Sequence, residues 1–124
     1  MADRVILTTG AIAKADSGNL VPKFAFANIA AGTTDGALVS AVSGKKLRVL
    51  DVKLATVTAA TTATFNTKPS GAGSAISATL NVPVGIASLG FNPLGHFETN
   101  SGEGLTVTTS AGNTVGVQIT YIEV

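Results

Sequence analysis

The chain has no cysteine, so it forms neither disulfides nor thiolate metal sites, and cysteine usage leaves its redox compartment open. A single histidine, His96, cannot build the usual zinc site alone, because such sites draw mostly on Cys and His. Tryptophan is missing and there is one tyrosine, which removes much of the aromatic equipment of sugar platforms and nucleic-acid grooves. Charge is scarce as well: 12% of residues against about 25% in an average chain, with a net charge of +1. Only Lys45-Lys46-Leu47-Arg48 approaches the basic cluster that nucleic acid requires. That cluster reads as solvation of a strand start or as a face for an acidic partner, so no nucleic-acid partner is expected. No apolar run nears the roughly 18 residues of a membrane span. The run Val5-Ile6-Leu7 is far too short for a signal peptide. The expectation is a soluble protein made in a cytoplasm, with no membrane partner.

What fills the space is small. The 124 residues include 19 Ala, 17 Thr and 14 Gly, a composition that suits closely packed strands and their turns. Low charge with high apolar content is a poor recipe for a free monomer and reads as a surface meant to be covered by neighbours. Turn signals such as Asp16-Ser17-Gly18-Asn19, Ser43-Gly44 and Asn100-Ser101-Gly102 separate short segments of strand-like sequence. Phe24 and Phe26, two apart, share one face of a strand over 23–30. Leu50, Val52 and Leu54 alternate with Asp51 and Lys53, the period of a half-buried strand. Val115, Val117, Ile119 and Tyr121 repeat the pattern near the end of the chain. No segment carries a clean 3.6-residue apolar period. Eight or nine short strands predict an all-β fold, a single-domain antiparallel β-sandwich or jelly roll over 1–124, with 1–20 as a candidate N-terminal arm. Two hairpins are expected, 45–58 with 61–67 and 105–109 with 114–124. Leu50, Val52, Leu54, Val115, Val117 and Ile119 are expected in one core.

Catalytic constellations are not found. Gly71-Ala72-Gly73 lacks the third glycine and following helix of a dinucleotide fingerprint, and reads as a turn. The seven carboxylates are scattered; Asp35, Asp51, Glu98 and Glu103 each read as solvated or ion-paired. The many Ser and Thr have no partner base but His96, and no Gly-x-Ser-x-Gly elbow occurs. His96 reads as packing beside Phe97 or hydrogen-bonding a loop backbone. A lectin is underequipped, since Phe24, Phe26 and Phe65 are committed to strands. The expectation is a non-enzyme with no cofactor, no metal and no small-molecule substrate.

The stretch Phe91-Asn92-Pro93-Leu94-Gly95-His96-Phe97-Glu98-Thr99 separates two strand-like regions and reads as an ordered crossover. With Gly44-Lys45-Lys46-Leu47-Arg48-Val49-Leu50 and the ending Gln118-Ile119-Thr120-Tyr121-Ile122-Glu123-Val124, it resembles small tailed-bacteriophage virion proteins of the capsid decoration, or cement, type. The resemblance covers residues 44–124 and leaves 1–43 unmatched. It implies a small β-sandwich, usually trimeric, on the outer surface of the virion head, where it clamps neighbouring major capsid protein subunits. A phage tail tube or fibre component and a carbohydrate-binding β-sandwich module are the alternatives. Candidate partner contacts are Arg4, Val5, Ile6 and Leu7 at the N-terminus, and Phe91, Asn92, Pro93, Leu94, His96 and Phe97 in the crossover, which is expected at or near the trimer contacts.

Overall fold

Alternating apolar residues build two antiparallel sheets face to face in a computed structural model of the chain, a β-sandwich without helices among the described residues. The structure describes residues 20–124 in full. Of the first nineteen it describes only the backbone strands Ile6–Leu7 (β1), Ala13–Ala15 (β2) and Gly18–Asn19 (β3), a three-stranded antiparallel sheet. The candidate arm falls almost wholly in this stretch.

The first sheet holds Lys23–Ile29 (β4), Leu47–Thr56 (β6), Gly85–Ser88 (β10), Phe97–Glu98 (β11) and Val115–Glu123 (β13). Its order is β4-β13-β6, with β10 and β11 lying one after the other along the far edge of β6. The second sheet holds Gly36–Val39 (β5), Thr61–Lys68 (β7), Ser74–Ala75 (β8), Leu80–Val82 (β9) and Gly104–Thr109 (β12). Its order is β5-β12-β7, with β8 and β9 sharing the far edge of β7. Counting each divided edge as one strand gives eight positions from β4 to β13. The first sheet then runs first-eighth-third-sixth and the second runs second-seventh-fourth-fifth.

Between the sheets lies a core of Val49, Val52, Leu54, Val117 and Ile119 from one side and Ala63, Phe65, Leu105 and Val107 from the other. Burying each large side chain contributes about 1.5–3 kcal/mol against leaving it in water. The Asp35 carboxylate ties the rims together. Thr106 Oγ1 donates to its Oδ1 at 3.0 Å and the Gly73 backbone N–H to its Oδ2 at 3.0 Å. Asp35 is therefore a half-buried clamp between loops, with no ion-pair partner among the described residues. A Cβ on Gly73 would sit 2.2 Å from that carboxylate, so the Gly71–Gly73 segment needs its glycine for this contact.

Three expectations are corrected. Neither hairpin forms: β6 and β7 belong to opposite sheets, as do β12 and β13. The turn residues are real, but each of these two connections carries the chain over the edge of the sandwich. Leu50 also leaves the main core. The β6–β13 register shifts so that Thr120 faces Asp51 while Tyr121 faces Val49, leaving Leu50 as the extra residue of a bulge. Below the bulge Val49 and Leu47 point into the core. Leu50 joins Ile122 on the other face, in a small cluster packed by Leu20 and Val124.

Candidate interaction site

The three motif segments, far apart in sequence, form one piece of structure. β6 begins at the basic cluster and is flanked on one side by the crossover and on the other by the last strand. Phe97 and Glu98 pair with Val49 and Arg48, while Ile122 and Glu123 pair with Arg48 and Leu47. Lys46 and Val124 exchange backbone hydrogen bonds at 2.8 and 2.9 Å. The Leu47 N–H donates to Thr99 Oγ1 at 2.9 Å, which keeps the Thr99 hydroxyl buried and satisfied.

Within the crossover Asn92 is the organiser. Its N–H donates to the Leu50 carbonyl at 2.8 Å, its Oδ1 accepts from the Leu94 N–H at 3.0 Å, and its Nδ2 donates to the Gly95 carbonyl at 3.2 Å. This is the side-chain-to-backbone turn chemistry in which Asn excels. The His96 N–H donates to the Val49 carbonyl at 2.8 Å. Its Nε2 lies 2.7 Å from the Gly90 carbonyl, an acceptor, so that nitrogen carries the proton. The loop-backbone role expected for His96 is the one it has. Phe97 turns inward onto Phe65, with ring centroids 4.9 Å apart.

Glu98 finds two partners, Arg48 Nε at 3.1 Å and Lys46 Nζ at 3.3 Å. Arg48 is almost wholly buried, so its charge serves the fold and is not displayed to an acidic partner. Gly95 adopts φ of +91° directly over this side chain; a Cβ there would lie 2.5 Å from Arg48 Cγ. Gly95→Ala combines left-handed strain with a clash inside a packed ion pair. We expect a loss of about 2–4 kcal/mol, read from urea denaturation midpoints.

Of the crossover candidates, Phe91 and Leu94 are left to solvent, 48% and 63% exposed. Asn92, Pro93, His96 and Phe97 are half-buried. Arg4 and Val5 lie outside the described residues, and Ile6 and Leu7 are described only as the backbone of β1.

A second surface escaped the sequence reading. Phe24 and Phe26 do share a face, but it is the outer one, and they are 79% and 81% exposed. Strand β4 alternates Phe with Ala, apolar on both sides, so hydropathy alone does not say which side faces in. The register does: Ala25 and Ala27 pair with Ile119 and Val117, whose side chains fill the core, and the two Phe pair with Thr120 and Gln118. Across this outer face Ile86 of β10 is also exposed. Between Phe26 and Ile86 runs a cleft of about 210 Å³ floored by Ala55 and Gly116, with Asn28, Lys53 and Gln118 along it. The charge along this face is neutralised, since Lys53 Nζ meets Asp51 Oδ2 at 2.8 Å. On the opposite parity of β4 and β13, Lys23 Nζ meets Glu123 Oε2 at 2.8 Å. The hydrogen bond that Lys23 donates to Glu123 raises its ammonium above the ordinary lysine range.

No group of three or more metal-ligating side chains is assembled among the described residues, nor is any helix long and apolar enough to cross a membrane. No protein-family model, curated protein or solved structure matches the chain.

Proposed function

We propose that the chain is a non-enzymatic structural protein of a bacteriophage virion, a capsid decoration protein that bridges major capsid protein subunits on the outside of the head and acts as a homotrimer. The observation that carries this reading is the set of large apolar side chains held out into solvent on a rigid sandwich: Phe24, Phe26, Ile86, Phe91 and Leu94. Contiguous exposed apolar surface marks places where another macromolecule binds. The convergence of the three motif segments on one end of β6 adds support, since residues that recur together in the resembling proteins are also physically joined here. The strand order, with the first position beside the eighth and the second beside the seventh, fits a jelly roll. Each copy contributes modest contact, and many copies on a symmetric shell add through multivalency.

The deciding experiment mixes purified protein with expanded heads that lack it. Saturable binding at local threefold positions, with a raised temperature of DNA release, is expected. Binding confined to tails, or to glycans with heads ignored, overturns the reading. Removing residues 1–9, which include Arg4 and Val5-Ile6-Leu7, is expected to weaken head binding while the circular dichroism spectrum stays that of a β protein. Equal binding by the truncated chain would free that segment of any role at the shell.

One observation favours the carbohydrate-binding alternative. The exposed Phe24 and Phe26 are available as stacking platforms, contrary to the expectation that strands had claimed them. The cleft beside them speaks against it, because about 210 Å³ is below the roughly 300–1,000 Å³ usual for a small-molecule site.

A further inference from the structure

We propose that the outer face of the first sheet is where a second copy of this chain docks, the Phe24 ring of one copy seating in the cleft between Phe26 and Ile86 of the next. This rests on the homo-oligomer reading above and names the surface that builds it.

The cleft is the size of one side chain, and its floor is open because Gly116 has no side chain and Ala55 only a methyl. The same face supplies the matching projection, since Phe24 stands out in solvent and does not line the cleft. Knob and hole are thus both present, at different places on one face. Such a contact joins unlike patches, and when its rotation closes it generates a ring, the geometry a trimer requires.

Charge points to the same occupant. Copies of one chain bring identical charges together, so a patch of one sign would repel itself. Here Lys53, the charged residue along the cleft, is joined to Asp51, leaving the cleft neutral toward its own likeness. Strand β4 adds a third observation. It is an edge strand paired only to β13 among the described residues, in unbroken register over seven residues. From Phe24 to Ile29 it carries no proline, charge or bulge, the devices by which exposed edges are usually protected. An edge left this plain next to exposed aromatics is suited to being covered.

The test is sedimentation velocity of the full chain at micromolar concentration, with three variants beside it. Phe24→Ala removes the knob. Gly116→Val fills the hole, and its Cβ fits without a clash, meeting nothing nearer than Asn28 Oδ1 at 3.6 Å. Asn81→Ala alters an exposed side chain on the second sheet instead. The wild type should form a closed oligomer, and each of the first two variants should weaken association about a hundredfold, as loss of a central aromatic anchor does. Their thermal unfolding should be unchanged, and Asn81→Ala should associate normally. Mixing the first two variants should restore a dimer but no ring, because one keeps the hole and the other the knob. If both associate like the wild type, the proposal is overturned while the oligomer reading stands. A monomeric wild type overturns both. If the wild type is monomeric and the same two variants lose binding to heads, the face belongs to the shell and not to a second copy.

Discussion

Replacing Val52 by aspartate is expected to remove on the order of 3 kcal/mol or more of the protein's stability. Val52 lies in the middle of β6, fully buried and opposite Ile119, with no polar partner among its core neighbours. A carboxylate there must stay charged without a counter-ion or take up a proton, and either course costs on the order of 3 kcal/mol or more. Domains of this size have about 5–15 kcal/mol in total. Urea denaturation followed by circular dichroism measures the loss directly. Val57→Asp, a few residues along at a site 88% exposed, is the control and should change stability by less than about 0.5 kcal/mol. Equal effects at the two positions would mean that the inward face of β6 has been assigned wrongly.

The second large effect is expected at Phe65, the largest of the fully buried side chains. Phe65→Ala leaves a cavity between the sheets and should cost about 3–5 kcal/mol. Because Phe65 also holds the ring of Phe97, the damage should extend to the crossover. The Asn92 and His96 amides, bonded to the carbonyls of Leu50 and Val49, should exchange with solvent faster in the variant than amides of β4. A double-mutant cycle with Phe97→Ala should return a coupling of about 0.5–1.5 kcal/mol for the ring pair. If the crossover amides exchange as in the wild type, the loop is held by its own hydrogen bonds and Phe97 is incidental to it.

Strand content was readable where one face is apolar and the other is not. The alternation of Val52 and Leu54 with Asp51 and Lys53, and of Val117 and Ile119 with Gln118 and Thr120, marks strands because polar residues fill the gaps. Sheet membership was not readable, for Ala59-Ala60 and Ser110-Ala111-Gly112-Asn113 are turn sequences whether the chain folds back beside itself or crosses to the facing sheet. Leu50 shows a second limit. Strict alternation places it with Val52, and only the β13 register reveals the extra residue that turns it outward. The candidate site was legible by halves. The crossover announced itself through scarce residues, Pro93 and the single His96, beside Asn92, a residue that turns favour. The Phe24–Phe26 face did not, because a strand with Phe on one side and Ala on the other looks buried on both. Its one available signal was the partner strand, where Thr120 and Gln118 lie opposite the aromatics and Ile119 and Val117 opposite the alanines.

The position of β13 has a consequence for how the domain is made. It follows every other described strand in sequence, yet it lies inside the first sheet, and both β4 and β6 hydrogen-bond to it along most of its length. Until it leaves the ribosome, β4 has no neighbour in its sheet and β6 has only the short segments β10 and β11. The first sheet must wait incomplete, with its apolar face available to chaperones or to the second sheet, all of whose strands precede β13. Closure of the sandwich is therefore a late event that joins sequence-distant strands.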